Sequence, residues 1–156
     1  MSIEKVRACF EGLGIAERIL EFPVSSATVE LAAQALNCEP CRIAKTLSFY
    51  GPEGPVLIVT AGDAKVHGTS FKHQFGVKAK MLSHEDAETL IGHAVGCVCP
   101  FAVNPGVQVW LDVSMKRFAT VFPACGSSNS AIELTMEELE TYSAARGWVD
   151  VCKDWK

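Results

Sequence analysis

Apolar residues near the start of the chain recur at helical spacing. Ile3, Val6, Phe10 and Leu13 share one face and predict a helix over residues 2–13. Gly12 and Gly14 close it, so the G-x-G there reads as a helix end rather than a nucleotide fingerprint. Residues 19–22 form a short strand candidate, and Val29, Ala32, Ala33 and Leu36 mark a second amphipathic helix over 28–36 that Asn37 ends. Strand patterns follow at 43–50 and 56–61, separated by the turn Gly51-Pro52-Glu53-Gly54. A short helix fits 69–75 and a strand 78–82. Ser83, with Asp86 in the capping-box position, opens a helix to 91. Further strands are predicted at 107–113, 120–124, 131–134 and 148–151. Thr135 and Glu138 form a second capping box, opening a helix that buries Met136, Leu139 and Tyr142.

Paired strands with helices inserted between only some of them predict an α+β fold with a mixed, largely antiparallel sheet. The strict βα alternation of a doubly wound sheet is absent. A length of 156 residues fits a single domain over 1–156 with a real core. No apolar run approaches membrane-spanning length. The N-terminus is charged from Glu4 and does not read as a secretory signal, so the seven cysteines are expected to be reduced thiols in a cytoplasm.

Charge changes the picture in one place. The net charge of −4 argues against general coating of nucleic acid, but the acids gather toward the C-terminus. Residues 64–84 carry Lys65, Lys72, Lys78 and Lys80 with three histidines and no carboxylate. Two readings stand, a solvated lysine-rich face and a phosphate-contacting edge.

Chemistry concentrates in three stretches. In IAKTLSF (43–49), strand alternation puts Lys45 in line with Ile43, Leu47 and Phe49. It is either a lysine snorkelling from a sheet edge or a cation lining a pocket for a substrate phosphate or carbonyl. Burial would lower its pKa. In GHAVGCVCPF (92–101), Cys97 and Cys99 with His93 make a poor zinc site, because C-x-C lacks the four N/S ligands and usual C-x-x-C spacing. Cys38 and Cys41 have that spacing, but no second pair exists. No metal or cofactor is expected, and most cysteines read as small hydrophobes. Gly96 to Pro100 reads instead as a G-x-x-x-P loop whose backbone N–H groups can face a carbonyl oxygen or oxyanion. GSSNS (126–130) lacks a nucleophile elbow. It is a small polar loop suited to making a turn or, through Ser128 and Asn129, to bonding a ligand.

IAKTLSF at 43, VTAGDAKV at 59, GHAVGCVCPF at 92 and FPACGSSNSAIELT at 122 together resemble the YbaK/ProX family. These are free-standing relatives of the editing insertion of bacterial prolyl-tRNA synthetase. The resemblance covers nearly the whole chain, with the motifs in order. It implies a curled mixed sheet flanked by helices, and an aminoacyl-tRNA deacylase acting in trans on the 3′ acceptor end, typically of tRNA(Pro), with prolyl-tRNA synthetase as a further partner. It also implies that Lys45 is the essential strand lysine and that Gly96 and Pro100 frame the loop holding the aminoacyl ester. His93, Cys97, Val98, Cys99, Phe101, Ser128 and Asn129 are then expected around the substrate, and Lys65, Lys72, Lys78 and Lys80 along the tRNA. Cys97 replaces a second glycine of many relatives. Ala131 stands where cysteine-specific relatives tend to carry an acid, which favours water over the substrate's own thiol as nucleophile. The alternative is a module that binds aminoacyl-tRNA, or a nucleotide-like ligand, without hydrolysing it.

Overall fold

A computed structural model describes residues 2–23, 28–93 and 98–155. The first helix forms as read (α1, Ser2–Leu13), with Val6 and Phe10 fully buried. A short strand (β1, Leu20–Glu21) precedes α2 (Val29–Leu36). Thr28 Oγ1 caps α2 by accepting from the Leu31 amide at 3.1 Å, and Asn37 ends it in the left-handed region at φ 54°. β2 (Ile43–Gly51) and β3 (Gly54–Ala61) form the central hairpin. After it come β4 (Lys65–Val66), α3 (Gly68–Phe75), α4 (His84–Asp86), β5 (Gln108–Asp112) and β6 (Thr120–Pro123). The chain ends with β7 (Ser130–Ala131), β8 (Leu134–Thr135), α5 (Met136–Tyr142), β9 (Gly147–Val149) and β10 (Cys152–Lys153).

Six strands make one mixed sheet in the order β8-β6-β2-β3-β5-β9. The β2–β3 and β6–β8 ladders are antiparallel; β2–β6, β3–β5 and β5–β9 are parallel. Two small antiparallel ladders, β1–β7 and β4–β10, lie outside it. The fold is α+β with a mixed sheet, as expected. Alternation along β3 sends Leu57, Val59 and Ala61 into a core shared with α1 and α5, and Val56 and Ile58 toward α3. Among the described residues, no helix is long and apolar enough to cross a membrane.

Several expectations are corrected. Residues 78–82 form no strand. They run beside β2 through a single bridge, Phe49 to Met81, flanked by Tyr50 N–H donating to Lys80 O and Leu82 N–H to Ser48 O. Only one turn of the 83–91 helix is α-helical, and residues Ala87–Ile91 continue as a π-helical turn. Ser83 caps it, but Asp86 accepts from the Tyr50 hydroxyl instead of closing the box. The 131–134 strand is two strands serving different partners, β7 on β1 and β8 on β6. By contrast, both bonds of the Thr135–Glu138 box are made. Glu138 also takes Arg18, and these partners hold its carboxylate down at about 2, with the Arg18 bond the larger cause.

Candidate functional site

Lys45 projects from the sheet face that carries both α2 and α3. Ile43 is covered by Ala33 and its neighbours on α2, while Leu47 and Phe49 pack with Phe71 and Phe75 of α3. Lys45 lies between these two caps and lines a pocket that α2 borders on one side. The sheet has a gap there. β6 pairs with β2 only at Ile43 and Ala44, and the 80–82 segment rejoins β2 at Ser48, leaving Thr46 between them.

The pocket encloses about 300 Å³, at the small end of ligand sites. β2 supplies residues 43–47, α2 supplies Val29 and Ala32, and Thr28 and Val98 join them. Phe122, Ala124, Ala131 and the serines 127, 128 and 130 close the far side. Lys45 is the one ionisable side chain among these described lining residues. Its Nζ donates to the Gly62 carbonyl at 3.5 Å. Burial pushes its pKa below the ordinary amine value, while Cys152 and Asp63 pull the other way. Burial also raises the Cys152 thiol well above its ordinary value, so it is uncharged near neutral pH and Asp63 is left as the leading anion beside Lys45.

Of the expected substrate contacts, the structure brings Lys45, Val98 and Ser128 to the pocket wall. Gly96 and Cys97 lie outside the described residues. The others stand off the pocket wall. Pro100 is buried and does not line the pocket. Phe101 is fully buried with its ring 4.9 Å from Phe10, and Cys99 is buried beside it. His93, also fully buried, bonds the Phe101 carbonyl through Nε2 at 2.8 Å. A carbonyl only accepts, so Nε2 carries the proton. Nδ1 has no partner among the described residues, and burial lowers the pKa. His93 is thus a neutral pin to the Phe101 carbonyl. Asn104 adds a second pin by donating to the Thr89 and Leu90 carbonyls. Gly92 fits there because it turns at φ 94°, with Asn104 Oδ1 2.8 Å from where a Cβ would stand. Asn129 spends its amide on the Phe22 carbonyl and the Ser127 hydroxyl, bracing the serine loop.

Spacing does not find Thr28, Thr46 or Ser127. Alternation puts Thr46 on the face opposite Lys45, and only the parting of β6 from β2 opens a route to it. Burial also raises the thiols of Cys38, Cys41 and Cys125, conditions that disfavour a thiolate. Among the described residues, no group of three or more His, Cys, Asp or Glu side chains is arranged to hold a metal ion.

The four lysines of the basic stretch are exposed and divide three ways. Lys72 and Lys78 line one open groove of about 840 Å³ with His73, Gly68 and Thr69. Lys80 lies 5.5 Å above the Tyr50 ring. Lys65 stands near Lys45, whose pKa it lowers.

Comparison with known proteins places this geometry. The chain is 51% identical over its whole length to the uncharacterized protein YwhH of Bacillus subtilis (strain 168). It is 28% identical over 102 residues to a proline–tRNA ligase of Bacillus cereus (strain AH820), the matched region being 65% of this chain and 18% of the ligase. Among solved structures, one of a candidate trans-editing enzyme for prolyl tRNA synthetase superimposes with a TM-score of 0.88 at 26% identity, covering 97% of both chains. A hypothetical protein, APE2540, superimposes at 0.80 with 25% identity, covering 93% of this chain and 99% of its own. Residues 24–142 match the aminoacyl-tRNA editing domain, and the chain belongs to that YbaK/ProX-like family.

Proposed function

We propose that this protein hydrolyses the ester of mischarged aminoacyl-tRNA in trans, with tRNA(Pro) carrying a small wrong amino acid as its substrate. The observation that carries the reading is a lone, half-buried lysine in an otherwise neutral pocket of amino-acid size. An ammonium there has three donors and no acceptor, suited to an ester carbonyl oxygen that gains charge as it is attacked, or to a phosphate beside it. Water adds to the carbonyl carbon, the bond to the ribose oxygen breaks and that oxygen takes a proton. The products are free amino acid and uncharged tRNA. Gly96 and Pro100 serve as the frame of a backbone loop across the ester, and Val98 and Ser128 as walls. Val29, Ala32, Val98 and Ala131 favour a small, uncharged side chain, and Ala131 leaves no carboxylate at that wall. Similarity to a proline–tRNA ligase and to a candidate trans-editing enzyme supports tRNA(Pro) as the carrier, in a cytoplasmic setting beside prolyl-tRNA synthetase.

The test is a deacylation panel with tRNA(Pro) charged in turn with Ala, Cys, Ser, Thr and Pro. Preferential release of a small non-cognate residue supports the reading, and release of none sinks it. Because no second acid or base stands among the described lining residues, a binding module is the alternative. It would protect the ester instead of cleaving it.

The groove holding Lys72 and Lys78 is the proposed hold on the tRNA body, with Lys65 and Lys80 as flanking contacts. Removing one lysine from a phosphate should flatten the dependence of log K on log salt by about one unit. Lys72→Gln with Lys78→Gln should therefore lower the slope by about two and raise KM with little change in kcat. An unchanged slope returns the stretch to a solvated face.

A further inference from the structure

The VTAGDAKV motif supplies no side chain to the pocket wall, yet bonds from three directions converge on its turn. Ala61 ends β3, and its N–H donates to the buried Ser114 hydroxyl at 3.2 Å. Ser114 is held in turn by Asp112, which is fully buried. One Asp112 carboxylate oxygen accepts from Ser114 N–H and the other from Val151 N–H, both at 2.9 Å. On the other side of Gly62, Asp63 accepts two bonds from Arg117, at 2.6 and 3.0 Å. Arg117 also donates to the Ser114 carbonyl at 2.8 Å and the Trp155 carbonyl at 2.6 Å, and its guanidinium stacks between Phe118 and Trp155. Gly62 itself lies against the Pro40 carbonyl. Its own carbonyl, between these clamped neighbours, meets Lys45 Nζ.

We propose that the 61–63 turn is a rigid mount for Lys45, and that Asp63 and Arg117 are positioning residues for deacylation. The inference rests on the assignment of Lys45 to the reaction and adds what aims it. A lysine head on a four-carbon stem sweeps a wide volume unless something fixes it. A fixed carbonyl narrows that sweep, and at 3.5 Å the bond is weak enough to leave the ammonium for substrate. The Asp63 charge also favours the ammonium form. The charged or titratable neighbours acting on Lys45 are Cys152 on β10, Asp63 in the turn, Lys65 on β4 and Glu30 on α2. Of the two carboxylates, Asp63 raises the Lys45 pKa more strongly than Glu30 does.

The test compares Arg117→Met, Arg117→Lys and Asp63→Asn in the full chain, with Lys45→Ala and Arg18→Met as controls. Arg18 makes a similar ion pair with Glu138, and its bonds go to Glu138 and the Glu133 carbonyl rather than to the 61–63 turn, so it reports the cost of losing any such pair. Single-turnover deacylation of Ala-tRNA(Pro) should lose about tenfold or more in kcat for Arg117→Met, with KM little changed. Arg117→Lys should recover part of this, and Arg18→Met should stay near wild type despite a comparable loss of melting temperature. Equal rates for wild type and Arg117→Met, or an equal loss in Arg18→Met, would overturn the mount. A second readout needs no activity: NMR titration of ¹³C-dimethylated lysines, with the Lys45 signal assigned by its absence in Lys45→Ala. Asp63→Asn should shift the Lys45 midpoint to lower pH, and an unmoved midpoint would overturn the inference. If Lys45→Ala turns over at the wild-type rate, the role of Lys45 in the reaction fails, while the titration still decides whether the turn governs the lysine.

Discussion

Lys45→Ala should cut deacylation by about 10²–10³-fold, the usual cost of removing one preorganised donor from a developing oxyanion. The same variant should melt at or above the wild-type temperature, and the sign follows from linkage. Burial holds the folded-state pKa of Lys45 below its ordinary value of 10.5, so between the two the unfolded chain binds more protons than the folded one. At any pH below both, keeping the charged head half buried costs stability, and that cost lessens as pH rises through the folded pKa. Removing the ammonium removes the cost. The rate profile separates the roles open to the lysine. An ammonium that binds the ester loses activity as pH rises through its lowered pKa, whereas a free amine acting as base gains it. These curves are read after subtracting uncatalysed hydrolysis. Wild-type turnover by Lys45→Ala would end the assignment.

Gly62→Ala should be the most damaging single-methyl change at the site. A Cβ at Gly62 would collide with the Pro40 carbonyl and come within 2.8 Å of Val29 Cγ1. Backbone cannot rotate out of the way as a side chain can, so either the end of β3 or the 3-10 turn Pro40–Arg42 must shift. That turn runs directly into β2, whose third residue is Lys45, and Val29 forms part of the pocket wall. Overpacking of this kind costs about 2 kcal/mol, a fall of roughly 4–8 °C in melting temperature for a chain of this size. Activity should fall further than stability explains, because both routes of relief move Lys45 or the carbonyl it meets. A variant with wild-type Tm and kcat would show that the turn accommodates the methyl and that this packing is loose.

Much of the local structure was legible because its causes are local. Thr28 and Asn37 bracket α2, and the Thr135–Glu138 box opens α5, through bonds that reach no more than a few residues. The β2–β3 hairpin follows from two apolar runs joined by a four-residue turn. Where pairing depends on a distant partner, the pattern misled. Residues 78–82 have the apolar alternation of a strand but meet only the end of β2, so one bridge forms. Residues 131–134 read as one strand, yet β1 takes Ser130 and Ala131 and β6 takes Leu134 and Thr135.

The site shows the same division. That Lys45 shares a strand face with large apolar residues follows from period-two alternation alone, and so does the conclusion that its place there is unusual. Why it faces a pocket and not the core is decided by tertiary structure. α2 covers Ile43, α3 covers Leu47 and Phe49, and β6 leaves β2 after Ala44. No spacing rule separates a histidine that touches substrate from one that pins a loop. His93 Nε2 finds the Phe101 carbonyl in a space closed to water, a contact that only the fold supplies. Arg117 was invisible to a reading by motif, since it lies 54 positions from Asp63 and acts only through their contact in the fold. Residue order was enough for most of the helices, the hairpin, the out-of-place lysine and the family. Packing between distant segments decided which residues reach the pocket, because side-chain direction is a local property and the partner it meets is not.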